Sequence, residues 1–114
     1  MYRFMTYYPL DIEGGQIERD MFVRCSMANS CITLKDHRLH TCAMVANIRY
    51  FNREFGTDLV VTDDDSIDFH KARDGQEILD ALARPIPFCR YCKTDRRTIG
   101  HEWGITERKI EEWT

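Results

Sequence analysis

The sequence lacks a long hydrophobic run, a strong excess of charge of either sign and an export signal. No apolar stretch among its 114 residues approaches the roughly 18 residues that a membrane-spanning helix requires, so no membrane association is expected. The 16 basic and 19 acidic side chains leave a formal net charge of -3, which argues against a nucleic-acid binder and a polybasic membrane binder. The opening stretch MYRFMTYYPLD has no charged segment followed by an apolar core and no small-residue cleavage site, which predicts a cytoplasmic protein.

Internal repeats, low-complexity tracts and Gly/Ser linkers are also missing, and the length fits one domain. We therefore expect a single domain over residues 1–114, with residues 1–24 as a lead-in segment and residues 25–114 as the main unit. A barrel-type catalytic domain needs about 200 residues or more. A large enzyme is therefore not expected to be complete here, and the chain is expected to supply a part of one.

The sequence pattern predicts a small α+β domain in which a cysteine-bearing β-hairpin is followed by two or three helices. Strands are expected at residues 32–34 and 39–42, joined by a polar turn at residues 35–38. A further short strand is expected at residues 59–61, and the acidic run at residues 63–65 is expected to form a solvated turn.

Three helices are expected after the hairpin. The first spans residues 43–55, with one apolar stripe and Gly56 as a left-handed C-cap; the stripe consists of Met44, Ile48, Phe51 and Phe55. The second spans residues 75–83, with Asp74 as its N-cap and Glu77 completing a capping-box-like start. A third short helix is expected after Thr106, with a hydrophobic staple between Ile105 and Ile110.

Cysteine is the residue type that carries chemical information in this chain. The five cysteines are Cys25, Cys31, Cys42, Cys89 and Cys92. Structural disulfides are disfavoured in the cytosol, where thiols are kept reduced. Five thiols in so small a domain therefore suggest metal binding, cluster binding or redox chemistry.

The sharpest local motif is the CxxC of Cys89 and Cys92. The adjacent Arg90 and Lys93 are expected to favour the thiolate form. Zinc binding, iron–sulfur ligation and thiol–disulfide exchange all use such a pair. Exchange of the thioredoxin type needs a helix that begins after a strand, whereas this motif follows the segment at residues 85–87, Pro-Ile-Pro, and precedes residues without apolar periodicity. Metal ligation is therefore favoured.

A CxxC supplies only two ligands, whereas zinc and iron–sulfur clusters normally take four. The others must come from Cys25, Cys31 and Cys42. Cys42 ends the second expected strand, and the other two precede or enter the first, so one or both are expected near Cys42. Such a site gathers ligands from distant segments, and ligation is then coupled to folding.

This layout resembles the C-terminal auxiliary-cluster domain of radical S-adenosylmethionine (radical SAM) enzymes, of the SPASM or the shorter twitch type. Those domains carry a Cys, about a dozen residues, a Gly, four residues, a Cys that leads into a helix, and a later CxxC. Here the corresponding positions are Cys25, eleven residues, His37 in the place of the Gly, four residues, Cys42, and then Cys89 and Cys92. His in the place of Gly is tolerable because His is enriched in left-handed backbone conformations.

The surrounding stretches are similar to radical SAM proteins of bacterial polysaccharide and glycosyltransferase loci, over about residues 20–114. The matching stretches are residues 28–31 (ANSC), 49–52 (RYFN), 55–57 (FGT), 85–92 (PIPFCRYC) and 100–105 (GHEWGI). The CxxxCxxC motif of the family's catalytic barrel does not occur in the sequence. Cleavage of S-adenosylmethionine by this chain alone is therefore not expected.

The resemblance implies that the chain binds an auxiliary [4Fe–4S] cluster for electron transfer or substrate positioning, beside a radical SAM barrel in cis or in trans. The implied ligands are Cys25, Cys42, Cys89 and Cys92, with Cys31 as the alternative to Cys25. Two other interpretations stay open. The same cysteines could bind zinc in a structural or interaction module, or the chain could be a remnant that keeps reduced thiols.

The four histidines suggest no catalytic group of a recognised type. His37 and His40 are interpreted as a turn residue and an outward-facing strand residue, with His40 as an alternative hydrogen-bond donor near Cys42. His70 is expected at the surface. His101, beside Glu102, has no nucleophile arranged with it by any motif.

Aromatic residues complete the picture. Phe88 and Tyr91 are expected to shield cluster sulfurs from water, which affects the reduction potential. Trp103 and Trp113 are expected to pack the C-terminal helix against the hairpin.

Overall fold

The computed structural model describes residues 5–7, 9–28, 30–101 and 104–114, with side chains throughout except at residues 5–7 and 98–101. Within these ranges the chain forms five short strands and three α-helices: β1 (Met5–Tyr7), α1 (Glu18–Val23), β2 (Thr33–Lys35), β3 (Arg38–His40), α2 (Ala43–Phe55), β4 (Ser66–Asp68), α3 (Gly75–Leu82) and β5 (Thr98–His101). The fold is thus a small α+β domain with a hairpin and helices, as the sequence predicts. None of the described helices is long and apolar enough to cross a membrane.

The hairpin belongs to an antiparallel sheet in the order β2-β3-β4, while β1 pairs with β5 in a separate two-stranded sheet. The turn of the hairpin is shorter than expected, since β2 and β3 are connected by Asp36 and His37 alone. Both residues have positive φ angles, 52° and 62°, which two-residue hairpin turns need in order to follow the twist of the strands. His37 is therefore a turn residue, as predicted.

Helix α2 has the predicted bounds, and Gly56 ends it in the left-handed conformation, with φ 63°. Its Val45 and Ile48 are buried in the core. The core partners from other elements are Leu10, Leu59, Ile86, Phe88 and Tyr91. Helix α3 also begins as predicted, because the Asp74 side chain accepts a hydrogen bond from the Glu77 N–H.

The strand predicted at residues 59–61 is wrong. Side chains, not a neighbouring strand, take up the backbone polar groups of this segment. The Asn52 amide bonds both the N–H and the C=O of Leu59, each at 3.0 Å, and the Val60 N–H donates to the Tyr91 hydroxyl. Leu59 is buried, so the apolar pattern there indicates a core anchor in an irregular segment.

The predicted C-terminal α-helix is a single 3₁₀ turn, Ile110–Glu112. The predicted staple is wrong, because Ile105 is 95% exposed. Trp113 packs edge-on against Phe51 of α2, with ring centroids 6.3 Å apart, so its partner is the long helix and not the hairpin. The prediction for Trp103 lies outside the described residues.

Candidate metal centre

Three segments of the chain converge on one cavity. Cys25 follows α1, Cys42 is the N-cap residue of α2, and Cys89 and Cys92 lie in and directly after a 3₁₀ turn, Pro87–Tyr91. All four side chains line a cavity of about 30 Å³. Its other lining residues are Met21, Phe22, Ala28, Thr41, Ile86, Phe88 and Thr94.

The fifth cysteine is elsewhere. Cys31 is exposed and does not line this cavity. Its Sγ lies 3.8 Å from the Ser30 hydroxyl oxygen, which is also at the surface. The structure therefore groups Cys25 and not Cys31 with the other three thiols.

The CxxC turn is shaped by local sequence and by backbone hydrogen bonds. Pro87 stands in the first turn of the 3₁₀ segment, where the missing N–H of proline costs nothing. The Cys89 N–H donates to the Ile86 carbonyl, and the Cys92 N–H donates to the Cys89 carbonyl. These bonds turn both thiols of the motif toward the same cavity.

A buried carboxylate, that of Asp65, binds the backbone of the CxxC turn. Asp65 has 0% exposure, so the expectation of a fully solvated acidic turn is wrong at this residue. Its Oδ1 accepts the Phe88 N–H at 2.7 Å, and its Oδ2 accepts the N–H and the hydroxyl of Thr62 at 2.7 and 3.2 Å. A buried carboxylate is tolerated when its oxygens are hydrogen-bonded in this way.

The lead-in segment also binds the CxxC turn, through backbone hydrogen bonds. Leu10 and Cys92 form an antiparallel β-bridge. The Lys93 N–H donates to the Pro9 carbonyl at 2.9 Å, and the Asp11 N–H donates to the Tyr91 carbonyl at 2.7 Å. The lead-in is thus a part of the framework that positions the cysteines.

Burial makes three of these thiols, Cys42, Cys89 and Cys92, resist ionisation. It raises the pKa of Cys42 and of Cys92, and it raises the pKa of Cys89 to about 11. Negative charge on the neighbouring thiols raises the pKa of Cys89 and Cys92 further. The expectation that Arg90 and Lys93 favour the thiolate is therefore wrong.

The two cations have recorded partners other than the sulfur atoms. The Arg90 guanidinium stacks 4.7 Å from the Tyr91 ring and donates to its hydroxyl. The Lys93 ammonium approaches the Thr114 carbonyl at 3.5 Å. Neither cation is among the groups that shift the pKa of Cys89 or Cys92.

The two aromatic residues of the motif differ in their roles. Phe88 lines the cavity and is 1% exposed. Tyr91 does not line it but packs against Phe88, with ring centroids 5.1 Å apart. Phe88 is thus the ring that keeps water from this side of the thiols.

None of the three histidines whose side chains the structure describes lines the cavity. His40 is buried, so the prediction of an outward-facing residue is wrong, and among the described residues its Nδ1 has no hydrogen-bond partner. Burial lowers its pKa. The side chain of His101, and Glu102 as a whole, lie outside the described residues.

The donor set fits either of the expected groups in its chemistry. Four cysteine thiols in an apolar pocket suit an iron–sulfur cluster or zinc, which both bind thiolate sulfur. Among the described residues, no three His, Cys, Asp or Glu side chains stand close enough to hold one metal ion as they are. Loading of any metal group therefore requires the thiols to shift.

Two contributors to the site escaped sequence analysis. Helix α1 supplies Met21 and Phe22 to the cavity wall, and the apolar pair Ile17 and Met21, four residues apart, is a weak signal for it. Asp65 had a clearer signal. Thr62 stands three residues before it and the two form a capping box, which is a recognisable start of a helical turn.

No family model, no curated protein and no solved structure matches this chain.

Proposed function

We propose that this chain binds an auxiliary [4Fe–4S] cluster through Cys25, Cys42, Cys89 and Cys92. One observation carries the proposal: four thiols from three distant segments line a single apolar cavity, while the fifth is exposed at the surface. These are also the four positions that the resemblance to SPASM and twitch domains assigns as ligands.

A cluster held there would supply one-electron transfer. Four thiolates occupy one position on each of the four irons, which leaves no iron open to a substrate and favours an electron-transfer role over direct substrate ligation. The chain's own residues set the surroundings: Phe88 and Ile86 keep water out, and low solvent access is one factor that sets a cluster's potential.

The proposal includes a catalytic partner. By the resemblance, the partner is a radical SAM barrel that binds S-adenosylmethionine, in the same polypeptide or in another. The chain described here lacks the CxxxCxxC motif for that chemistry, so its proposed contribution is the auxiliary cluster.

Zinc is the second candidate, and the size of the cavity favours it. A volume of about 30 Å³ is close to the share of one molecule in liquid water, and a single ion needs no more. Around zinc the four thiolates would lie at Zn–S distances of about 2.3 Å, whereas a cluster with four irons would hold them farther from one another than a single ion does.

Metal and sulfide analysis of protein purified without oxygen decides between the two. About four irons and four acid-labile sulfides per chain, with broad visible absorption, are expected for the cluster. One zinc per chain without sulfide would contradict the cluster and support a structural module that binds zinc. The absence of both iron and zinc after anaerobic reconstitution would overturn both candidates.

Single substitutions test the ligand set. Cys92→Ser is expected to lose most of the bound iron, and Cys31→Ser is the matched control that keeps it. Loss of iron in Cys31→Ser together with retention in Cys25→Ser would contradict the proposed set.

A further inference from the structure

Two exposed histidines lie close together at one end of the β2-β3-β4 sheet, where turns follow the strands. His37 lies in the hairpin turn, and His70 lies in the turn that follows β4. The Nδ1 atom of His37 and the Nε2 atom of His70 are 3.4 Å apart, and the ring centroids are 5.4 Å apart at an interplanar angle of 46°.

From this geometry we propose that His37 and His70 form a second, solvent-open binding site for a divalent transition-metal ion that accepts imidazole nitrogen, such as Zn²⁺. Zn–N distances of about 2.0–2.1 Å in a tetrahedron place two ligand nitrogens about 3.4 Å apart. The observed separation of the two nitrogens equals this value. It is long for a hydrogen bond, which is usually close to 2.9–3.0 Å, so an ion between the rings displaces only a weak contact.

Both histidines stand in turns, and the His70 ring has a packing partner. His37 occupies a two-residue turn with φ 62°. The His70 N–H donates to the Asp68 carboxylate at 3.0 Å, and its ring packs on Phe69 with centroids 4.3 Å apart. Ligands that are ordered before binding lose less entropy when the ion arrives.

The chemistry of the pair selects the ion. Imidazole nitrogen suits zinc, copper and nickel, whereas calcium and magnesium prefer oxygen. Asp36 directly precedes His37 in the chain, and Asp68 stands two residues before His70 and pairs with Lys71 at 3.9 Å. Among the described residues no third ligand closes the site, so water would complete the coordination and the ion would exchange freely.

Binding is tested by titrating reduced, metal-free protein with Zn²⁺ while the imidazole nitrogen signals of each histidine are followed by NMR. We expect the signals of His37 Nδ1 and His70 Nε2 to shift together. Replacement of either partner by Asn is expected to weaken binding at the remaining histidine on the order of tenfold or more, because the second ligand acts intramolecularly. Asn tolerates the left-handed turn at residue 37.

The linkage between the two residues is the decisive result. If His70 responds to Zn²⁺ equally well in His37→Asn, the two histidines do not chelate one ion and the site is overturned. His101→Asn is the matched control and is expected to leave the paired response unchanged. Because the readout is specific to each imidazole, zinc uptake by the cysteines neither mimics nor hides it.

Discussion

Asp65 is a carboxylate without exposed surface whose three hydrogen bonds join two segments of the chain. Asp65→Asn places an amide N–H₂ where a carboxylate oxygen accepts, so one buried donor loses its partner. We expect a loss of about 2 to 3 kcal/mol in the free energy of unfolding, measured by urea denaturation near neutral pH. Asp64→Asn, at an exposed position of the same run, should stay within about 0.5 kcal/mol of the wild type; equal effects of the two substitutions would contradict this role.

Asp11 gives the stability a dependence on acidic pH. Hydrogen bonds from the Gln16 side chain and from the Gly15 and Glu13 N–H groups lower its pKa below the ordinary value of 3.8. Because the folded state favours the carboxylate, this stabilisation is present above the unfolded-state pKa and is lost as the pH falls through the lower folded-state pKa. The stability difference between wild type and Asp11→Asn should therefore shrink as the pH falls below about 4.

The measurement for Asp11 is the urea midpoint of both proteins across this acidic range. Asp20→Asn, at an exposed position, is the control and should differ little from the wild type at any pH. A difference between Asp11→Asn and wild type that stays constant to the lowest pH would show that the carboxylate charge is not the stabilising feature.

The five thiols should differ in reactivity. Cys31 is exposed, whereas burial raises the pKa of both Cys42 and Cys92, and the thiolate is the reactive form. In reduced, metal-free protein, iodoacetamide should modify Cys31 at least about tenfold faster than Cys42 or Cys92, as followed by peptide mass spectrometry. In denaturant the rates should converge, and rapid labelling of Cys92 in the folded protein would contradict the buried cavity.

At the scale of elements, the loop between Pro9 and α1 fits closely over the CxxC turn. Gly14 has φ 70°, and a Cβ atom there would lie 2.7 Å from a carbon of the Tyr91 ring. Gly14→Ala should therefore cost about 2 kcal/mol or more, from left-handed strain and from the clash.

Substitutions at two other glycines distinguish the effect of left-handed strain from the effect of the clash. Gly56 has φ 63° but no heavy atom within 4 Å of an added Cβ, so Gly56→Ala should cost only about 1 kcal/mol. Gly15 has neither the positive φ nor a contact closer than 3.4 Å, so Gly15→Ala should be nearly neutral. Thermal or urea unfolding of the three variants tests this order. If Gly14→Ala lowers the free energy of unfolding no more than Gly56→Ala does, the predicted clash with Tyr91 is contradicted.

The same scale explains what could be predicted from the sequence. Helix α2 has local signals at every step, an apolar stripe and a glycine C-cap, and its bounds were predictable. Helix α1 has six residues, too few to be stable alone, and it depends on packing against the CxxC turn. Strand β4 depends in the same way on pairing with β3. The choice of Cys25 over Cys31 could be anticipated only through a resemblance, because contacts between distant segments leave no local pattern.

At the scale of the whole molecule, a bound metal group would tie α1 to the core through Cys25. Arg24, the C-cap residue of α1, directly precedes Cys25 and is exposed. We expect trypsin to cut after Arg24 in metal-free protein and to do so on the order of tenfold more slowly after loading, because binding stabilises the closed state. Cutting after Lys109, whose side chain is 65% exposed and which lines neither the cysteine cavity nor the histidine pair, is the internal control and should not change.

The β-bridge between Leu10 and Cys92 has a consequence for how the protein is made. Until residue 92 has left the ribosome, the last of the four thiols is missing. Leu10 then also lacks the backbone with which it pairs. Insertion of a metal group during translation would meet an incomplete set of ligands at every earlier stage. Delivery of the proposed metal group is therefore expected only after the CxxC segment has left the ribosome and can pair with the lead-in.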